Sequence, residues 1–158
     1  GGVPTRYVHL RGVIKALNGD DIGDDIAELE TYKLPDDNPD RTEDKAIHHL
    51  QGLAAMQSGD ADEAVTQLKQ AVEKFGYEYG IYEIDLAQAL FQSGARRDAL
   101  SLIKDAQANN DSLLSGELRL DLLWRRQRAA YIEADFFDAM GQPEKAEQIR
   151  AAAQSRTQ

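Results

Sequence analysis

The chain has 158 residues and a formal net charge of −10, with 18 Lys plus Arg against 28 Asp plus Glu, and it has no cysteine. That length gives one domain with a core large enough to stand without staples, and the missing thiols exclude disulfides, thiolate metal sites and cysteine catalysis in any compartment. The acid excess makes phosphate backbones and anionic lipid poor partners, and no run of 18 apolar residues exists to cross a bilayer as a helix.

The opening Gly1-Gly2-Val3-Pro4 carries neither an initiator Met nor a signal-peptide pattern, so a longer parent protein is expected. Hydrophobic spacing then predicts eight helices, over 5–17, 20–32, 41–57, 61–75, 78–93, 96–109, 114–140 and 143–155. In the first, Tyr7, Leu10, Val13, Ile14 and Leu17 fall at helical intervals. The stretch Leu34-Pro35-Asp36-Asp37-Asn38-Pro39 is a loop, because two prolines and their polar neighbours forbid a helix. Asp40 with Glu43 predicts a capping box for the third helix. The fourth carries the stripe Ala64, Leu68, Ala71, Val72 and Phe75, and the sixth Ala99, Leu102, Ile103 and Ala106. The seventh is long, roughly 35–40 Å at 1.5 Å per residue; it is expected to project beyond its hairpin or to cover a groove. The eighth is thin in apolar residues, as suits a terminal cap with a wet outer face.

An internal repeat organises these elements. His9-Leu10-Arg11-Gly12 with Gly19-Asp20 recurs 40 residues later as His49-Leu50-Gln51-Gly52 with Gly59-Asp60. A small residue followed seven later by Gly occurs four times: Gly12/Gly19, Gly52/Gly59, Ala87/Gly94 and Ala134/Gly141. Ala64, Ala99 and Ala146 follow five residues after the last three glycines; the first copy has Asp24 instead. Physically this is a helical hairpin: the Gly stops the first helix, and the small residue two turns earlier lets a neighbour approach.

The turns Gln57-Ser58-Gly59-Asp60-Ala61-Asp62-Glu63-Ala64, Gln92-Ser93-Gly94-Ala95-Arg96-Arg97-Asp98-Ala99 and Met140-Gly141-Gln142-Pro143-Glu144-Lys145-Ala146 resemble those of tetratricopeptide repeats. The resemblance covers roughly 45–155 well and 5–33 poorly. His48 and Glu83 stand where the family usually has an aromatic residue, the closing proline is absent, and the copies are spaced 40, 35 and 47. It implies an all-α superhelix of about four helix-turn-helix hairpins, over 5–33, 41–75, 78–109 and 114–155, with a loop at 34–40 in a single domain.

The resemblance also implies a concave groove lined by the first helix of each hairpin. Carried over by register, that groove holds Val13 and Leu17, then His49, Leu53, Met56 and Gln57, then Ile84, Gln88, Phe91 and Gln92, and last Arg128, Tyr131, Asp135 and Asp138. Its expected occupant is a peptide or amphipathic helix of a partner protein, with apolar anchors and some basic residues. The family's Lys and Asn carboxylate clamp is not visible, so chaperone-tail binding is not expected.

Other clusters carry residue types capable of chemistry. His9 and His49 are repeat equivalents, and their two readings are a pH-responsive or ligand-contacting pair and an echo on a helix surface, the second preferred. Adjacent His48 and His49 point about 100° apart and do not share a metal. Asp20-Asp21-Ile22-Gly23-Asp24-Asp25 lacks the ligand pattern of a calcium loop. Glu133, Asp135 and Asp138 share one helix with no nucleophile or oxyanion hole in view, so exposed or groove-lining roles fit them better than acid–base catalysis. Trp124-Arg125-Arg126-Gln127-Arg128 suits an acid-pairing surface better than a phosphate grip. Phe75, Tyr77, Tyr79 and Tyr82 suit hairpin packing better than a peptide patch. Residues 18–44 hold 11 acids and two bases, either a docking surface for a basic partner or, as preferred, a solvated run. Asn110-Asp111-Ser112 matches a glycosylation acceptor and equally makes a turn.

The expectation is therefore a non-catalytic protein-interaction module of bacterial character, with no cofactor and no metal. The alternative is a regulatory or substrate-recruiting, ligand-sensing domain of a larger enzyme or transcription regulator. Self-association through an incompletely capped end stays open.

Overall fold

The computed structural model describes residues 3–76, 81–108 and 119–155, with side chains from 125 onward in the last stretch. Among the described residues there are eight α-helices and no strand: α1 (Val3–Leu17), α2 (Gly23–Thr31), α3 (Glu43–Gln57), α4 (Ala61–Glu73), α5 (Ile81–Gln92), α6 (Arg96–Ala108), α7 (Arg119–Ala139) and α8 (Pro143–Ser155).

Two starts differ from the predicted ones for local reasons. The α2 helix begins at Gly23, whose N–H donates to Asp21 Oδ1 at 2.8 Å, so the preceding aspartates form a turn rather than a first helical turn. The α3 helix begins at Glu43, and the expected capping box does not form. Asp40 N–H donates to Asn38 Oδ1 at 2.9 Å, while Glu43 is buried and accepts from Leu34 N–H and the Thr5 hydroxyl, both at 3.4 Å. Arg41 fastens the same loop, donating to the Leu34 carbonyl and pairing with Asp36 and Asp44. The residues of the box thus tie the 34–40 loop to α1 and α3.

The glycine turns explain the hairpins. Gly59 has φ +83°, and its repeat equivalents Gly19, Gly94 and Gly141 share the left-handed backbone. Around Gly59, Asp60 N–H bonds the Ala55 carbonyl at 2.9 Å and Gly59 N–H bonds Met56 at 3.1 Å, closing the end of α3. The Asp60 carboxylate then accepts from Glu63 N–H at 3.0 Å and opens α4. The small residues sit where helices touch. A Cβ on Gly52 would lie 2.5 Å from Leu68 Cγ. Ala87 and Ala134, and the post-turn Ala64, Ala99 and Ala146, are fully buried.

Hairpins stack in chain order, each first helix packing on the pair before it, as in a helical-repeat superhelix. One apolar cluster, including Leu68, Ile84, Ile103, Ile132 and Phe136, joins hairpins two to four. A second, built from Val8, Ile22, Leu29, Ile47 and Leu50, joins hairpins one and two. The α8 helix buries only Ala146 and Ala153 fully and turns a polar face outward. Because Ala87 is wholly buried in the core cluster, Ala87→Leu should cost about 1–3 kcal/mol by overpacking. Urea denaturation checks this, and an unchanged midpoint would mean that α5 has room to spare there.

Candidate functional site

The first helices α1, α3, α5 and α7 enclose a cleft of about 540 Å³. Val13, Ala16 and Leu17 of α1 and Leu53 and Met56 of α3 make an apolar wall, with Ile81 and Ile132 at its margins. Gln88 of α5 and Gln127, Arg128 and Tyr131 of α7 make a facing polar wall, with Gln57 at the α1 end and Asp85 at the base. The α7 helix, 21 residues and about 31 Å long, walls the cleft and does not fill it. Residues 109–118, where its predicted start falls, lie outside the described residues together with Asn110, Asp111 and Ser112.

Behind the polar wall runs a buried line of hydrogen bonds with one member from each first helix. His9 Nε2 lies 2.8 Å from His49 Nδ1, His49 Nε2 lies 2.6 Å from Asp85 Oδ2, and Arg128 donates to Asp85 Oδ1 at 2.9 Å. A carboxylate only accepts, so His49 carries its proton on Nε2. One proton lies between His49 Nδ1 and His9 Nε2. Tyr82 covers the pair, stacked on His9 at 6.0 Å and edge-on to His49 at 4.8 Å. Buried Lys45 places Nζ 4.3 Å over the Tyr82 ring and donates to the Ala71 and Lys74 carbonyls, at 2.9 and 3.2 Å, where α4 ends.

The electrostatics follow from this burial. Burial first, and then the facing His49 ring, lower the His9 pKa to about 3, with Asp85 only partly opposing. Burial alone would raise the Asp85 carboxyl, but the His49 bond and charge and the Arg128 guanidinium reverse that and hold it below the usual carboxylate value. The preferred surface reading of His9 and His49 is thereby corrected: both are buried, because the equivalent positions of adjacent hairpins face one another across the α1–α3 contact.

The cleft brings together Val13, Leu17, Leu53, Met56, Gln57, Gln88, Arg128 and Tyr131 of the expected groove. The remaining expected groove residues lie elsewhere. His49 is behind the wall, bonded to Asp85. Ile84 is fully buried in the core, since on α5 the cleft-facing positions are Ile81, Asp85 and Gln88, about one turn nearer the N-terminus than Ile84, Gln88 and Phe91. Phe91 stacks on Phe136 at 4.2 Å with 2° between the rings, so it joins hairpins three and four. Gln92 is exposed at the end of α5, outside the cleft. Asp135 and Asp138 are exposed on the α8 side and share Arg150, at 2.7 and 2.5 Å, so the cleft has no acidic end. Glu133 is buried, and burial raises its carboxyl above the usual value.

Other expectations resolve similarly. Arg128 does pair with an acid, but a buried one. Tyr82 packs in the interior, Phe75 is exposed, and Tyr77 and Tyr79 lie outside the described residues, as does the Trp124 side chain. The acidic run is compensated from within as well as solvated: Asp25 is buried between Arg11 and Lys15, Glu28 pairs with Arg11, and Asp44 with Arg41. Asp85 was missed by sequence reasoning, although a signal existed. It occupies the place, two before the small residue, that is Leu10, Leu50 and Ile132 in the other copies. Among the described residues no group of three His, Asp or Glu side chains could hold a metal ion, and no helix is long and apolar enough to cross a membrane. Comparison with protein-family models, with curated proteins and with solved structures gave no match for this chain.

Proposed function

We propose that this chain is a non-catalytic protein-interaction module of the tetratricopeptide-like kind, taking a short, uncharged segment of a partner protein in its concave cleft. The observation that carries the reading is the division of the cleft into an apolar wall and a polar wall whose only charges among the described residues, Asp85 and Arg128, neutralise each other. Apolar anchors suit the α1–α3 wall, and Gln88 and Gln127 amides suit the donors and acceptors of a peptide backbone. A helix about 10 Å across fills roughly 420 Å³ per turn, so 540 Å³ favours an extended segment over a helix. Amides, a phenol and a closed ion pair set no nucleophile against a base, which favours binding over turnover. A basic occupant loses its rationale once Asp135 and Asp138 are held by Arg150.

The test is selection of peptides from a random displayed library against the chain, followed by calorimetric titration of the winners. Selected peptides should be apolar and near neutral. Leu53→Ala and Met56→Ala should each weaken binding about tenfold or more, from the 1.5–3 kcal/mol that burying such a side chain contributes. Affinity should change less than about twofold between 50 and 500 mM salt, since no exposed charge pair is made. Basic, salt-sensitive winners that ignore Leu53→Ala would sink the proposal.

A further inference from the structure

The repeat register exposes a second surface, unconnected with ligand binding in the cleft. Counted from the small residue of each first helix, the positions five before, two before and two after it face the preceding hairpin. In α3 these are Ile47, Leu50 and Ala54, packed with Val8, Ile22 and Leu29 of hairpin one. In α5 they are Tyr82, Asp85 and Ala89, and in α7 Ala129, Ile132 and Phe136, all of them buried. In α1 the same positions are Tyr7, Leu10 and Ile14, which are 64%, 38% and 61% exposed. One contact surface is thus covered three times within the fold and bare once, and the bare copy carries large apolar side chains.

We propose that this α1 face is an inter-hairpin interface, and that its occupant is a helical hairpin from outside these 158 residues, packed on α1 as α3–α4 packs on α5. The chemistry required is on the page. The surface that covers α5 is built from small and branched apolar residues, Ala64, Leu68, Ala71 and Val72, and it already accepts a tyrosine, Tyr82, at the register of Tyr7. A second copy of this chain fits poorly in either mode. Head to tail, α8 offers none of the exposed large apolar side chains found among the described residues. Face to face, Tyr7, Leu10 and Ile14 would meet their own large side chains rather than the small and branched residues that cover α5.

The chain has no cysteine, which makes Ile14→Cys a clean reporter. The full chain carrying Ile14→Cys is compared with the same chain lengthened by a duplicate of residues 43–80 joined ahead of Gly1. Maleimide labelling should be fast in the first and at least tenfold slower in the second, and adding Leu10→Glu to the lengthened chain should restore the fast rate. A control thiol at Ser155→Cys, on α8, should label equally in both. If Ile14→Cys labels as fast with the duplicate as without it, the proposal fails, whether the added hairpin stays open or docks elsewhere. If the thiol is already protected in the unextended chain, and sedimentation shows a dimer, a second copy is the occupant and the proposal fails equally.

Discussion

Replacing Asp85 by Ala should destabilise the fold by about 3–5 kcal/mol, because it leaves buried partners without their acceptor. Asp85 takes the His49 Nε2 proton at 2.6 Å and an Arg128 N–H at 2.9 Å, and its carboxylate is almost wholly buried. Removing it strands the donor of His49, a wholly buried side chain, which costs more than the bond itself gained. The double change His49→Leu/Asp85→Leu should cost less than Asp85→Ala, since both ends of the shortest bond go together and Arg128, at the cleft wall, still reaches solvent. Urea denaturation of the three proteins measures this. A loss below about 1 kcal/mol for Asp85→Ala would show that water substitutes for the carboxylate.

The second large effect is on acid stability. Unfolded, His9 takes up a proton near its ordinary 6.5; folded, it does so only near 3. Between those values the unfolded chain holds the extra proton, so stability falls as the pH falls, by roughly 1 kcal/mol per pH unit. Above 6.5 the contribution is complete. The depressed carboxyl of Asp85 acts elsewhere on the scale: its contribution is present above the ordinary carboxylate value and is lost as the pH falls through its still lower folded value. Glu133, whose carboxyl burial raises, contributes with the opposite sign just above the ordinary carboxylate value, so the His9 signature between pH 6.5 and 4 is the part of the slope that His9 itself supplies. His9→Gln keeps a hydrogen-bonding amide beside His49 Nδ1 without a titrating ring, and its stability should be flatter over that window by about the same amount. An unaltered slope would mean that the folded His9 accepts a proton near neutrality.

The hairpins were legible in the sequence because their determinants are local. Gly59 stops a helix through its own backbone, and Asp60 starts the next through its own side chain. Gly52, Ala87 and Ala134 announce close contact by their size. The cleft was half legible, since α3 and the middle of α7 lie in the assumed register. On α5 it was not. Beyond Gln88, which was expected, Asp85 faces inward to His49 of another hairpin, Ile84 lies in the core and Ile81 reaches the wall. Spacing along one helix does not reveal a bond made by another. The acidic far end failed for the same reason: Arg150, on α8, claims Asp135 and Asp138.

Arrays of stacked hairpins ordinarily unravel piecemeal, their stability being a sum over neighbours. The line from His9 through His49 and Asp85 to Arg128 works against that independence. Peeling hairpin one away removes the hydrogen-bond partner of His49 Nδ1, and freeing hairpin four strips Asp85 of its guanidinium. Either end, on leaving, exposes the middle to an electrostatic penalty that apolar packing alone would not impose. The molecule is therefore expected to melt in a single cooperative step, with the line of side chains acting as a tie-rod that makes four modules share one fate.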